Sequence, residues 1–417
     1  MSATHLLRLR IVIIGVFLFC SLSIARANVI TDWNRTFETV EKEAGQGSSG
    51  RSGAILHIAI FDAVDGITRE YAPYYVQERS PQKADATAAA AQAACTILSA
   101  LYPDQRALLD RQLTHSLKHL TADKQAIAAG RAWGKKVAEK ILAPRRTDRY
   151  DAAPETFLGS TKPGQWRATP PYEGRSELMK QIARVVPFAL QTPSQFRPAP
   201  PPALNSAQYA ADLNEIKALG ARNSKTRTAD QTEIAHFNND SIECHWNRIA
   251  RNFVKPDANL LETARLFALL NIAAADAGIF SIDAKYAYNS WRPITAIRLA
   301  DPKSNPAISP DPKWTPLLMT PLHPDYVSRH CAIAGAAETI LIHFFGNNTG
   351  FSDTSDALPG VTRKYVSFTA QCQETIEARI LGGIHVRTAN VVGNEGGRQV
   401  ATYVLATRLI PLPRHAQ

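Results

Sequence analysis

Cysteine is scarce in this chain, five in 417 residues, and Cys95, Cys244, Cys331 and Cys372 lie far apart. That spacing gives no disulfide framework and no CxxC pair, and no zinc or calcium spacing appears elsewhere. One or two disulfides stay open as an expectation. Basic blocks are missing as well. The formal charge is +10, but its lysines and arginines are scattered, so nothing argues for a nucleic-acid partner, while anionic ligands are compatible with it. Period-2 alternation is rare, which speaks against a β-sandwich or barrel. No internal repeat is visible. Beyond the first thirty residues no uncharged run approaches the roughly 20 residues of a membrane span, so the mature chain is expected not to cross one.

The first thirty residues differ from the rest. Arg8 and Arg10 precede the apolar run "IVIIGVFLFCSLSI", and "ARA" ends at Ala27. A basic start, a short apolar stretch and a small-x-small end describe a secretory signal peptide over residues 1–27. The expected location is therefore periplasmic or extracellular. Cleavage lowers the formal charge from +10 to +7, because Arg8, Arg10 and Arg26 leave and no acid does.

The remainder, residues 28–417, reads as all-α, a single large helical-bundle domain with proline-rich loops. "ATAAAAQAACTILSAL" is an alanine-rich apolar helix, and amphipathic stretches follow it up to about residue 142. Residues 151–203, with "PGQWRATPPYEG" and "TPSQFRPAPPPAL", predict extended loops. Helices are expected again at about 206–219, 227–240 and 258–283, then at "CAIAGAAETILIHFF", "KYVSFTAQCQETIEARIL" and "VVGNEGGRQVATYVLATRL".

Three short segments carry chemistry. In "KYAYNSWRP", Lys285 and Arg292 are seven residues apart, about two helical turns, so both cations can face one way. In "PLHPDYVSRHCAIAGAA", Ser328, Arg329 and His330 precede an apolar helix, whose first amides suit an anion. In "ARILGGIH", six positions separate Arg379 from His385. On an unbroken helix they would diverge by about 120°, so Gly382 and Gly383 must end or bend it for the two to converge. Each segment alone has a plainer explanation: a solvated helix end, an N-cap, a C-cap before a surface histidine. Together they supply cations, imidazoles, a hydroxyl and a helix N-terminus, the donor set for a tetrahedral oxyanion such as phosphate or vanadate.

These residues resemble the type-2 acid phosphatase and vanadium haloperoxidase superfamily, whose pattern is K-x6-RP, PSGH and SR-x5-H-x3-D. Here the pattern stands as Lys285-x6-Arg292-Pro293, Val327-Ser328-Arg329-His330 and Ala378-Arg379-x5-His385. "VITDWN", "HIAIFDAVDGI", "NSKTRTADQTEIAHF" and "DAKYAYNSWRPITAIR" resemble soluble bacterial haloperoxidase-like proteins, and the similarity runs from about residue 29 to about residue 404. The resemblance implies that His385 ligates vanadium, or attacks phosphorus in the phosphatases, and that His330 is the opposing acid/base. It implies that Lys285, Arg292 and Arg379 bind the oxyanion's oxygens with Ser328, and it adds vanadate as cofactor with hydrogen peroxide and halide as substrates. The alternatives are a phosphohistidine acid phosphatase acting on a phosphate ester, and a non-catalytic oxyanion binder.

Three positions depart from the pattern. Arg329 replaces a glycine, and its guanidinium is expected either to add a fourth cation or to obstruct the pocket. Ala378 replaces a serine. Ala389 stands where an aspartate would orient the nucleophilic histidine, which leaves Asn390 or a carboxylate from elsewhere to take over. His57, Asp62, Asp65, His245 and Trp246 are expected to be structural.

Overall fold

Helix starts are written locally in this sequence. Asp85, Asp123, Ser206, Thr228, Asn259, Ser328 and Ser367 each precede a helix and accept a first-turn backbone N–H, satisfying a donor that the helix itself cannot. The computed structural model describes residues 28–44, 50–118, 120–153, 156–176 and 179–413. The signal peptide expected at 1–27 lies outside the described residues.

Thirteen α-helices result among these residues. The first five are α1 (Val29–Glu43), α2 (Gly50–Thr68), α3 (Ala86–Leu101), α4 (Arg106–Lys118) and α5 (Lys124–Arg145). After the proline-rich loops come α6 (Ala207–Leu219), α7 (Ala229–Phe237), α8 (Ile242–Phe253), α9 (Leu260–Tyr288) and α10 (Pro293–Arg298). The last three are α11 (Arg329–Phe345), α12 (Phe368–Leu381) and α13 (Arg387–Thr407). One antiparallel hairpin, β1 (Phe351–Thr354) with β2 (Thr362–Tyr365), is the only sheet among the described residues. The all-α expectation holds.

α9 is the spine. It is apolar on every face and packs against α2 on one side and α11 and α13 on the other. It is the one described helix long and apolar enough to cross a membrane, yet 94% of its apolar window is buried inside the protein. A helix apolar all round needs protein on all sides, and one hydrophobic cluster from Val29 to Leu409 provides it.

Two devices fix the parts that later matter. α13 crosses α11 at very close range: a Cβ at Gly397 would lie 1.8 Å from the Ala332 carbonyl oxygen, and one at Gly393 would lie 2.6 Å from that of Ser328. Glycine is required there, and the crossing pins the first turn of α11. The proline-rich stretch is lashed to α9 by Asp276, whose carboxylate accepts the amides of Phe188, Ala189 and Leu190 at 2.7–2.9 Å. Each such charge-assisted bond contributes about 1.5–3 kcal/mol. Asp62 does the same for Tyr74, Tyr75 and Val76. Asp62, Asp65 and His57 are thus buried structural groups.

Some boundaries moved. Lys364 and Tyr365, expected in a helix, pair in β2, because Ser367 caps a helix that starts only at Phe368. The helix expected to reach residue 240 ends at Phe237. The Asn238 side chain then folds back onto the Ile234 carbonyl, freeing residues 238–240 to present their own carbonyls. All four described cysteines are buried free thiols.

Candidate oxyanion site

Lys285 and Arg292 converge, but not by helical periodicity. α9 ends at Tyr288, Asn289 takes a left-handed conformation (φ 50°), and Arg292 caps α10 with Pro293 at its first position. The chain therefore reverses between the two cations. Both are fully buried, which rules out a solvated helix end. Backbone carbonyls from the loop before α11 and from Ile384, between α12 and α13, solvate them. Lys285 Nζ donates to the Pro324 and Asp325 carbonyls, at 2.8 Å each, and Arg292 donates to those of His323 and Ile384 at 2.6 and 2.8 Å. Burial, with Arg292 alongside, pushes the Lys285 ammonium well below its usual range, and burial lowers Arg292 to about 10.

The glycine pair behaves as the spacing demands. α12 stops at Leu381, Gly382 caps it, and Gly383 turns the chain at φ +75°. The amides of Ile384 and His385 then return to the Arg379 carbonyl at 3.2 and 3.4 Å. Arg379, His385 and Ser328 are all buried. The His385 ring sits between two groups of opposite kind. Its Nδ1 is 2.6 Å from Asp325 Oδ1, and its Nε2 is 3.1 Å from Arg292 Nη1. Arg292 Nη1 is also 3.5 Å from Nδ1; the shorter contact at Nε2 and the carboxylate beside Nδ1 favour Nε2 as the acceptor and Nδ1 as the protonated nitrogen. Burial, then Arg292 and Lys285, hold this imidazole well below its usual value. Burial raises the Asp325 carboxyl to about 6 against the pull of Arg292 and Lys285, so near neutral pH the pair is a carboxylate and a neutral imidazole.

The opposite wall is built by α11, α12 and the turn after α7. Ser328 caps α11, its hydroxyl accepting the Cys331 amide at 3.4 Å. The amides of Arg329 and His330 open the helix without a carbonyl one turn back. His330 Nε2 lies 3.1 Å from the Asp240 carbonyl. A carbonyl only accepts, so Nε2 is protonated and Nδ1 is the basic nitrogen. Burial and Arg379 keep this imidazole neutral, well below its usual value. Arg379 donates to the Asn238 carbonyl at 2.6 Å, while its buried Nε has no partner. Arg329 turns outward, pairing with Glu243. Together with His330 it lines a cavity of about 630 Å³ that also touches Tyr150, Met179 and Ile279. The replaced glycine thus becomes a cation at the cavity wall.

Each sequence-derived site residue, Lys285, Arg292, Ser328, Arg329, His330, Arg379 and His385, lies in or beside one charged cluster. Two residues escaped that reading. His323 Nδ1 stands 2.9 Å from Arg292 Nη2, and burial with Arg292 and Lys285 pushes its imidazole well below the usual range. Asp325 brings a carboxylate beside the His385 ring, where position 389 has none. Ala389 is buried in the core and gives only its carbonyl, to the Ser328 amide at 2.9 Å. Asn390 reaches the His385 carbonyl, not its ring. Both missed residues sit in the quoted "PLHPDYVSRH", but no spacing rule marks a side chain that acts after a chain reversal.

In physical terms the cluster holds a surplus of buried positive charge. Lys285 and Arg292 have one carboxylate, Asp325, within ion-pair or Coulombic reach, and burial of Arg379 is not offset by it. Uncompensated burial costs several kcal/mol per ion. Carbonyl oxygens offset part of that, and a bound anion would offset the rest.

Known proteins share this fold. Residues 265–410 match the family model described as the VCPO second helical-bundle domain. Over 100 residues the chain is 30% identical to vanadium chloroperoxidase of Curvularia inaequalis, a stretch covering 22% of this chain and 16% of that protein. The crystal structure described as the first bacterial vanadium-dependent iodoperoxidase superposes with a TM-score of 0.79 at 25% identity, covering 93% of this chain and 98% of that one. A bacterial vanadium-dependent chloroperoxidase in its holo form superposes at 0.66 and 15% identity, over 85% and 90% of the two chains. The chain therefore carries the fold of the bacterial vanadium haloperoxidases, and its residues 265–410 match the VCPO second helical-bundle domain.

Proposed function

We propose that this chain is an exported, vanadate-dependent haloperoxidase-like enzyme that oxidises halide with hydrogen peroxide. The observation that carries the proposal is the burial of Lys285, Arg292 and Arg379 around the accepting Nε2 of His385. The donor set suits vanadate. Arg379 Nε is a buried donor without a partner, the first amides of α11 lack intrahelical acceptors, and a neutral imidazole nitrogen faces the same cations. His385 Nε2 would hold the vanadium, Lys285, Arg292 and Arg379 would bind its oxygens, and Ser328 would add a hydroxyl. Bound vanadate supplies a Lewis acid that activates peroxide without changing oxidation state.

The chain's own residues do the rest. His330 Nδ1, beside the cavity, is the nitrogen placed to take a proton from an incoming peroxide. The Asp240 carbonyl fixes its tautomer. The three buried cations favour any increase in negative charge at the centre, and their burial keeps water from screening it. Arg329 and Glu243 line the approach. Phosphate would compete for the same donors.

The test is halide oxidation by peroxide in metal-free protein with and without added vanadate, run beside phosphate-ester hydrolysis. Bromide oxidation that needs vanadate and vanishes in His385→Ala is expected. Hydrolysis without vanadate, and no halide oxidation with it, would overturn the reading.

A further inference from the structure

Position 389 has no carboxylate, yet one stands beside the imidazole it would orient, that of Asp325. Its Oδ1, a buried acceptor without an aligned hydrogen bond, lies 2.6 Å from His385 Nδ1 and 3.7 Å from Arg292 Nη1. The Val386 amide, next to His385 in the chain, also donates to this carboxylate. The Asp325 backbone is tied in as well: its amide donates to the Ser290 carbonyl at 3.0 Å, and its carbonyl accepts from Lys285 at 2.8 Å. Asp325 is therefore wired to the segments bearing Lys285, Arg292 and His385, three residues ahead of Ser328.

We infer that Asp325 is the positioning residue of the oxyanion centre: it holds the Nδ1 proton of His385 and turns Nε2 toward the buried cations, a task moved from the helical position 389 to the loop before α11. The inference rests on the proposed role of His385 and deepens it. The move has a geometric reason. Ala389 lies on α13 where the chain crosses closely over α11, and its carbonyl already serves the Ser328 amide. A loop carboxylate reaches the same ring from the Arg292 side, so one oxygen faces both the imidazole and the guanidinium.

Two readouts on the full chain decide it. The first is the nitrogen NMR signature of His385 in histidine-labelled protein, assigned by loss of its signals in His385→Ala. The second is the dissociation constant for orthovanadate, and for inorganic phosphate, by calorimetry. In the wild type, Nδ1–H and a bare Nε2 are expected before any ion is added. In Asp325→Asn, which keeps size and shape, the Nε2–H tautomer should gain population and vanadate should bind about tenfold more weakly, the lower range for an outer partner of a metal-bound histidine. Asp325→Ala, checked for folding by circular dichroism, should lose about a hundredfold. If the tautomer stays put, or if affinity stays within twofold, Asp325 is a structural ion-pair partner only and the inference fails. A wild type that binds neither ion overturns the oxyanion reading instead, and the tautomer readout then judges Asp325 alone.

Discussion

Two buried histidines in this protein each touch a carboxylate, and they end in opposite states. His385 has Asp325 at 2.6 Å, and His245 has Asp353 at 2.7 Å. Burial depresses both imidazoles. Around His385 the next groups are Arg292 and Lys285, which depress it further. Around His245, Asp353 and the nearby Asp240 outweigh burial and raise it to about 9. The first pair is a neutral ring beside a carboxylate, the second a charged ion pair. A carboxylate contact alone does not set the protonation state. The surrounding charges do, and they separate a nitrogen free to bind from one that only braces the fold.

The brace is not remote from the site. Asp240 lies near His245 through its side chain and accepts from Arg248, while its carbonyl takes His330. The charged pair thus holds the strand hairpin and the turn after α7 that positions His330.

Exchanging what each histidine can do breaks the comparison most sharply. His385→Ala should weaken vanadate binding by roughly a hundredfold or more without lowering the melting temperature, read by calorimetry and thermal unfolding. His245→Gln should do the reverse. Removing the cation leaves the buried Asp353 without its ion-pair partner, while Asp240 keeps Arg248. The cost is about 3–5 kcal/mol in denaturant unfolding, with vanadate affinity little changed.

A gentler version uses pH. Because His245 is raised to about 9 in the fold from about 6.5 when unfolded, its contribution is fully present below pH 6.5. It is lost as pH rises through about 9, and amounts to on the order of 3 kcal/mol. The melting temperature should fall between pH 6.5 and 9.5, and His245→Gln should flatten that fall. The smallest effect on the site is expected from Arg329→Gly. Arg329 pairs with the buried Glu243 at the cavity wall rather than gripping the centre, so vanadate affinity should drop little, while the buried Glu243 left without its cation lowers stability.

Much of this was legible in the residues. Alanine-rich and amphipathic stretches announced most helices, and the residue types of the three segments announced the cations and the imidazole, although Lys285 and Arg292 converge through a chain reversal rather than by helical spacing. The need for a break at Gly382 and Gly383 was also readable, because helical geometry is local. Asp325 and His323 were not, because their roles depend on where a loop lies after α9 has reversed at Asn289. Lys364 and Tyr365 were misplaced for a similar reason: pairing with β1 overrode a local pattern that continues into α12. The state of His245 was hidden too, since Asp353 approaches it from a hairpin about a hundred residues away.

The surplus of buried positive charge is proposed to be an oxyanion site. The most direct measurement titrates orthovanadate calorimetrically into the folded chain at neutral pH, in the wild type and in Arg379→Ala. The prediction is one saturable site per chain, displaced by phosphate and severely weakened when the guanidinium with the unpartnered Nε is removed. A folded wild type that gives no saturable binding of either ion would contradict it.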